Sequence, residues 1–463
     1  MSTEYKPFPP PLPFKKIIGP SFIILALGLG SGEVILWPYL ASNYGLGIAW
    51  AAILGITFQF FINMEIERYA LVRGESVFVG IARMFPRSVY WFILSTFIGF
   101  GLPGIVAASA KVFASIIGVE DFRLIAIIML LCIGVILSTG KTLYGVMERI
   151  TKTILLISVP FIFLLALYLS TTSDWVTLFH GTVGRGDGYW FIPPGIGLAT
   201  FLAAFAYSGA GGNLNLTQSV YIKEKGYGMG KYSQKIQGLF HDKGKQRVQL
   251  NGILCEVNDE SIAHFSGWWK TINKEHGFVF LLIGSLSMML LMILSYVTAF
   301  GLEGNAQGIQ FVINEGLVIG GLIGPFIGTL FLLAVSVMLF QTQLGVMDST
   351  SRIMSENLAI KHINRFPDGV RLSKLYYGFL WSQIAFGILL FLFNIHEPKT
   401  LIVAGAVINA VAMFVHTGLV AMLNARELPK PFRPSVFRKC MIGFIFLFFG
   451  FFSAVVLIDT LFY

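Results

Sequence analysis

Two long apolar segments of this chain are interrupted near their centres, by GLGSGE at residues 28–33 and by SGAGGN at residues 208–213. Glycine weakens a helix, and the freed backbone groups are tolerated at bilayer depth only where they line a cavity or are buried against protein. The two interruptions occupy corresponding places in the two halves of the chain. They therefore predict a secondary transporter with a substrate site between two broken helices.

The composition predicts an all-α integral membrane protein. Of the 463 residues, 55% are hydrophobic and 12% are charged, against roughly 25% charged in a typical soluble domain. Most of the apolar segments contain the roughly 20 residues that are needed to cross a bilayer. We number the eleven predicted spans helix 1 to helix 11, at residues 18–40, 46–70, 89–118, 123–138, 153–169, 192–221, 277–301, 318–347, 376–393, 401–423 and 441–462.

The placement of basic residues predicts the topology. With a cytoplasmic amino terminus, 29 of the 33 Lys and Arg residues fall on cytoplasmic loops or helix ends, as the positive-inside rule requires. We therefore expect a cytoplasmic amino terminus, an outer carboxyl terminus and a multi-pass protein of a prokaryotic plasma membrane. The net charge of +9 is then explained by the basic residues that set the membrane topology. The expected partners are therefore the lipid bilayer and a small solute or cation, without nucleic acid. The sequence does not set the oligomeric state.

The connector between helices 6 and 7, residues 223–276, is long enough to fold. It contains RVQLNGILCEV at residues 247–257, and Asn251-Gly252 between two strand-like runs predicts a β-hairpin with a type I′ turn. We interpret the connector as a structured element along the cytoplasmic face, with a gating flap as the alternative. Trp268 and Trp269 suit the headgroup belt.

The order of these parts resembles the inverted-repeat, leucine-transporter-type fold of the amino acid–polyamine–organocation superfamily, and within it the Nramp divalent-metal transporters. The motifs that carry the resemblance are GPSF at 19–22, Gln59 with ERYALVRG at 67–74, NLNL at 213–216 and the polar stretch 343–358. The resemblance implies two five-helix repeats, at 18–170 and 192–423, with broken helices 1 and 6. A cytoplasmic tail (1–17) and an eleventh helix (438–463) flank the repeats.

The chain departs from Nramp proteins at the metal site. Their Asp-Pro-Gly-Asn in helix 1 is GSGE at 30–33 here, and their Met-Pro-His-Asn in helix 6 is AGGN at 210–213. The acidic residues of their helix 3 are absent, with Gly99, Gly101, Pro103 and Gly104 in that region. Loss of the thioether and the imidazole argues against selectivity for soft transition metals.

Two substrate classes remain open. The predicted substrate-binding residues are Gly30, Ser31, Gly32, Glu33, Ala210, Gly211, Gly212 and Asn213. Further cavity-lining candidates are Tyr207, Ser208, Gln341, Gln343 and Asn409. Oxygen ligands from Glu33 and Asn213 suit a hard, partly hydrated divalent cation, which the resemblance favours. Backbone N–H groups at a half-helix start instead suit an amino-acid-like or carboxylate solute.

Other polar residues of the spans have structural interpretations. We interpret Gln59 as a hydrogen-bonding residue between helices. An inner gate of ion pairs is expected from Glu65, Glu67, Arg68, Glu148, Asp348 and Arg352. The sequence contains no nucleophile–base pair, phosphate loop or metal triad, so no enzyme and no cofactor are expected. A sensor with a transporter fold stays open, and it would need residues 223–276 to bind a partner.

Overall fold

The computed structural model describes residues 5–17, 19–139, 143–233, 250–362 and 372–462. Nine helices in these ranges are long and apolar enough to cross a membrane, and helix 4 is a shorter apolar helix, Arg123–Thr139. Each of the eleven predicted spans corresponds to one helix or to two or three successive helical segments. Helix 8 packs on helices 1, 3 and 9.

The first five spans follow one another with short connections. Their bounds are Pro20–Ser31, Gly32–Leu36 and Trp37–Tyr44 for helix 1, Ala49–Arg73 for helix 2, Ser88–Phe100 and Gly104–Ile117 for helix 3, Arg123–Thr139 for helix 4 and Leu143–Leu169 for helix 5. The connecting segments of this half are Phe14–Ile17, Leu46–Ile48, Val77–Met84 and Thr172–Gly181. The short strands Arg185–Gly186 and Tyr189–Trp190 form an antiparallel pair before helix 6.

The remaining six spans form the second half and the eleventh helix. Their bounds are Leu198–Ala206, Gly212–Leu216 and Thr217–Lys225 for helix 6, Asp259–His276, Gly277–Ile283 and Gly284–Ala299 for helix 7, Pro325–His362 for helix 8, Leu372–Leu392 for helix 9, Pro398–Glu427 for helix 10 and Val436–Phe462 for helix 11. The connecting helical segments are Gly228–Tyr232, Gln310–Leu322 and Lys430–Phe432.

Helix 1 is continuous, so the predicted interruption at residues 28–33 is wrong. The α-helix Pro20–Ser31 passes into a π-helical turn, Gly32–Leu36, and then into Trp37–Tyr44 without an unwound residue. Pro38 explains the wide turn, because proline has no N–H to bond the carbonyl four residues earlier. Such single π turns are frequent at functional sites.

The glycines of helix 1 permit close packing and do not open the helix. A Cβ on Gly32 would stand 1.7 Å from the Tyr207 carbonyl oxygen of helix 6, and a Cβ on Gly30 would stand 2.4 Å from the Thr342 side chain of helix 8. Both distances are too short for any side-chain carbon, so helix 1 is in direct contact with its neighbours at this depth.

Helices 7 and 8 begin at other residues than the sequence predicts. Helix 7 begins 18 residues earlier, at Asp259, where the Asn258 side chain caps it by accepting from the Ser261 N–H at 2.8 Å. Helix 8 begins later, because Gly324, with φ of 148°, and Pro325 separate it from Gln310–Leu322. Trp268 lies within the extended helix 7 and is buried.

The amino-terminal tail packs on the connector between helices 6 and 7, and we call the side of the molecule where they lie the tail face. Tyr5–Lys6 pairs in parallel with Leu254–Cys255. The Trp268 indole N–H donates to the Pro9 carbonyl at 2.9 Å, which places this tryptophan under the tail and not in an exposed belt.

The predicted type I′ turn at Asn251-Gly252 is wrong, because neither residue has a positive φ. Gly252 is instead a close-approach glycine, since a Cβ there would stand 1.7 Å from the Arg73 carbonyl oxygen. The first strand of the predicted hairpin lies mostly outside the described residues, which resume at Leu250.

Candidate functional site

Helix 6 is broken as the sequence predicts. Its first part ends at Ala206 and its second part begins at Gly212, with residues 207–211 outside any helix. Gly209, Gly211 and Gly212 have φ values of 146°, 71° and 50°, which side-chain-bearing residues rarely adopt. The break is therefore specified by the glycines themselves.

Gln59 of helix 2 holds the break open. Its Nε2 donates to the Ala206 carbonyl at 2.9 Å, and its Oε1 accepts from the Gly211 N–H at 3.0 Å. These are backbone groups on the two sides of the break, and a buried backbone group without a partner costs free energy comparable to a lost hydrogen bond. The interpretation of Gln59 as an interhelical hydrogen-bonding residue is confirmed.

A small cavity with a free volume of about 10 Å³ lies between the break and helices 3, 8 and 10, which is room for roughly one water molecule. Its lining residues are Gly99, Phe100, Leu102, Ile105, Tyr207, Gln343, Val346, Leu401, Ile402 and Gly405. Most of the wall is aliphatic or aromatic, and the Phe100 and Tyr207 rings are stacked at 6.0 Å. The lining side chains that can form hydrogen bonds are the Tyr207 hydroxyl and the Gln343 amide.

Asn409 of helix 10 fixes the polar end of this cavity. Its Nδ2 donates to the Tyr207 hydroxyl at 2.8 Å and to the Gly99 carbonyl at 2.9 Å. A Cβ on Gly212 would stand 2.2 Å from the Asn409 Oδ1, so the glycine of the break admits this side chain. Helices 3, 6 and 10 therefore meet at one asparagine.

Several buried amide atoms around the break have no hydrogen-bond partner among the described residues. They are Asn213 Oδ1, Asn409 Oδ1 and Gln343 Nε2. Asn213 uses its Nδ2 to donate to the Ser95 and Thr96 hydroxyls at 2.8 and 3.0 Å. Buried polar groups are normally satisfied, so these atoms mark a site where a ligand or water can bind.

Glu33 lies away from this cavity. It is fully buried, and its Oε1 lies 3.9 Å from the position that a Cβ on Gly284 of helix 7 would occupy. Neither carboxylate oxygen has a hydrogen-bond partner among the described residues. Asn213 faces helix 3, so the structure does not bring the expected metal pair together around one cavity.

The other predicted site residues lie partly at the break and partly away from the cavity. The Ser208 hydroxyl accepts from the Trp37 indole N–H at 3.0 Å and donates to the Ala204 carbonyl at 3.1 Å, which fastens helix 1 to helix 6. Gln341 donates to Thr151 of helix 5 at 3.2 Å and does not line the cavity. Ala210 is buried within the break, and the Ser31 side chain lies outside the described part of the structure.

Two glycines shape the cavity wall but were not predicted as site residues. Gly99 and Gly405 both lie on this wall, and a Cβ on Gly405 would stand 2.6 Å from the Gly99 carbonyl oxygen. A small residue within each predicted span was the available signal, but glycine in membrane helices usually indicates helix packing.

Ion pairs join helices 6 and 8 at the tail face. The buried Arg352 donates from Nε to Asp348 at 2.9 Å and from Nη1 to Glu224 at 2.5 Å. Arg68 and Glu65 form a separate pair at 2.7 Å. The Glu148 side chain lies outside what the structure describes. Of the six residues named for an inner gate, Arg352 with Asp348 and Arg68 with Glu65 therefore form ion pairs.

Comparisons with known proteins address the fold. No family model matches the sequence, and no curated protein matches it either. Among solved structures, the Eremococcus coleocola manganese transporter in complex with an aromatic bis-isothiourea compound superposes with a TM-score of 0.69 at 11% identity, over 98% of this chain and 89% of that chain. A mutant of the same transporter gives 0.67.

MhsT in complex with L-phenylalanine superposes with a TM-score of 0.53 at 13% identity, over 95% of this chain and 97% of that chain. The chain has the leucine-transporter-type fold. At these identities the likeness concerns the fold alone. In this chain the break in helix 6 and the cavity beside it are surrounded by helices 2, 3, 8 and 10.

Proposed function

We propose that this protein is a secondary transporter that binds a small, uncharged or zwitterionic organic solute at the helix 6 break, in a conformation in which the cavity beside the break is wider than it is here. The observation that carries the proposal is the cavity wall. Its side-chain hydrogen-bonding groups, Tyr207 and Gln343, are neutral, and the rest is mostly aromatic and aliphatic. Organic-solute sites combine an apolar lining with a few well-placed polar groups.

The break adds backbone groups to this wall. Broken helices commonly form the substrate sites of secondary transporters. At this break the Tyr207 and Ser208 N–H groups donate to the Ala203 and Phe205 carbonyls, and the Gly211 carbonyl accepts from the Leu214 N–H. Gln59 occupies the Gly211 N–H and the Ala206 carbonyl, so the backbone groups of Gly209 and Ala210 are the candidates for solute contacts. With the tail face cytoplasmic, the ion pairs of Arg352 close the inner side of the path.

A hard divalent cation is the second candidate substrate. Two unpartnered amide oxygens, on Asn213 and Asn409, lie near the break, and amide oxygens are suitable ligands for such ions. Against this candidate, the described residues contain no group of three or more His, Cys, Asp or Glu side chains that could hold a metal ion. The Glu33 carboxylate faces helix 7.

Thermal stability of the purified protein tests the proposal. A panel of amino acids and small amides is compared with Mg²⁺, Ca²⁺ and Mn²⁺, because a ligand at 100 times its Kd stabilises the native state by about 2.7 kcal/mol. We expect stabilisation by an organic solute. Gln343→Leu should remove it, since this amide lines the cavity.

Gln341→Leu is the matched control. It changes the same residue type two positions away on helix 8, but Gln341 bonds to helix 5, so solute stabilisation should persist. Retention of full stabilisation in Gln343→Leu contradicts the site assignment. Stabilisation by a divalent cation alone, lost in Glu33→Gln, contradicts the organic solute and favours the second candidate.

A further inference from the structure

A cluster of buried ionisable side chains joins four helices near the tail face, outside the cavity. The Ser21 hydroxyl of helix 1 donates to Glu275 of helix 7 and lies 2.8 Å from His276 Nδ1. His276 Nδ1 lies 3.3 Å from Glu67 Oε1 of helix 2. The same Glu67 oxygen accepts from Gln218 Nε2 of helix 6 at 2.6 Å.

The cluster is closed to solvent and incompletely paired. Glu67, Glu275 and His276 are at most 3% exposed. Glu67 Oε2, Glu275 Oε1 and His276 Nε2 have no hydrogen-bond partner among the described residues. The Phe60 and Phe280 rings stack on the imidazole at 5.6 and 4.7 Å. Two carboxylates and one imidazole thus share an apolar enclosure.

Basic residues surround the cluster at its rim. Lys152 of helix 5 and Lys225 of helix 6 act electrostatically on Glu275, and Arg438 of helix 11 acts on Glu67. Arg438 is itself in an ion pair with Glu65 at 3.2 Å. The contact between His276 and Glu67 is an ion pair only when the imidazole is protonated, a form that burial away from water disfavours.

A line of polar side chains connects the helix 6 break with this cluster. Gln59 contacts the break, and Glu67, two turns further along helix 2, contacts Gln218. The helical register places Asn63 and Asn215 between these two contacts, on the facing sides of helices 2 and 6. Both amide atoms of both asparagines lack a partner among the described residues, although both residues are fully buried.

We propose that the cluster of Glu67, Glu275 and His276 is a proton-binding site that holds the tail face closed when protonated. The proposal rests on the proposed transport function, because it assigns the coupling ion of the same pathway. Because polar side chains connect the break with the cluster, the solute path passes beside this site.

Two carboxylates in a dry enclosure are costly unless protons or cations compensate their charge. When the tail-side end of helix 1 separates from helix 7, the Ser21 bonds break and water reaches the cluster. A carboxyl group then releases its proton to water, and the solvated carboxylates no longer favour the closed arrangement. The carboxyls of the closed state bind more protons, so a rise in pH favours opening.

Thiol accessibility measures this opening without any solute. Asn215 is fully buried on the polar line between the break and the cluster. Asn215→Cys, in a chain whose three native cysteines are replaced by serine, is labelled with a water-soluble maleimide in nanodiscs between pH 5.5 and 8.5. The labelling rate of Glu260→Cys, at an exposed position in the same background, corrects for the change of thiolate reactivity with pH.

We expect the corrected labelling rate to rise with pH by up to about tenfold per unit for each linked proton. Glu67→Gln combined with Glu275→Gln mimics the protonated state and should reduce the slope to less than about twofold per pH unit. Glu260→Gln, an exposed carboxyl on the same helix as Glu275, is the matched control and should keep the slope.

A corrected rate that does not change with pH when the cluster is intact overturns the proposal, and so does an unchanged slope in the double variant. If the double variant fails to fold, Glu67→Gln and Glu275→Gln are measured singly in its place, and each should lower the slope. Because the assay contains no solute, a negative result leaves the solute site at the break standing. Failure of the solute site appears only in the thermal-stability panel.

Discussion

Replacement of Gly32 by alanine tests whether helix 1 packs directly on the helix 6 break. The new Cβ would stand 1.7 Å from the Tyr207 carbonyl oxygen, where real Cβ atoms essentially never come closer than 3.0 Å. The obstacle is a backbone atom, which cannot rotate away as a side chain does. Helix 1 and the break must therefore separate by about 1.3 Å, the difference between the two distances.

The expected cost follows from two opposing effects. Overpacking costs about 1–3 kcal/mol, whereas replacing glycine by alanine inside a helix gains about 0.5–1 kcal/mol. We expect Gly32→Ala to lower the free energy of unfolding by about 1–2 kcal/mol, the difference between those two effects. Reversible unfolding by SDS in mixed micelles, followed by circular dichroism, measures this change.

Gly378→Ala in helix 9 is the matched control. A Cβ at Gly378 would have no heavy atom within 4 Å, so this variant keeps only the helix-propensity gain and should be neutral or slightly more stable. If Gly32→Ala unfolds at the same SDS fraction as Gly378→Ala, there is free space between helix 1 and the break. The reasoning that helix 1 contacts helix 6 directly would then be refuted.

Two further substitutions test the hydrogen bonds and charges near the path. Gln59→Leu leaves one carbonyl and one N–H of the break unpaired, which should lower the free energy of unfolding by about 1–3 kcal/mol for each group. Equal stability of this variant and the unsubstituted protein in the SDS titration would contradict the role of Gln59. Arg352→Leu leaves two buried carboxylates without their cation and should destabilise by about 3–5 kcal/mol. Replacing Arg352, Asp348 and Glu224 together by apolar residues of similar size should cost less, and a larger loss in the triple variant would contradict this account.

The spans could be predicted from the sequence because the length of an apolar segment is a local property. The helix 6 break was also predictable, since Gly209, Gly211 and Gly212 need positive φ values. The same signal failed in helix 1, where Gly28, Gly30 and Gly32 serve close approach. Glycine content alone does not separate these two uses, and both occur at matching places in the chain.

The site was less predictable than the fold, because its contacts join distant parts of the chain. Ser21 and His276 are separated by 255 positions, and His276 belongs to no motif. Glu33 was selected for its depth in the membrane, but the direction of its side chain depends on the π turn and so on Pro38. Gln341 and Gln343 differ in role only through helical rotation around helix 8.

The pairing of the tail with the connector affects how the protein is made. Tyr5 pairs with Leu254, so 249 further residues must be synthesised after Tyr5 before its partner exists. At a translation rate of about 5–20 residues per second, this interval is roughly 12–50 s. During that time helices 1 to 6 enter the membrane while the tail has no docking surface. A chaperone or a fused tag that occupies residues 5–11 in this interval would compete with the assembly of the tail face, even though it touches no membrane helix.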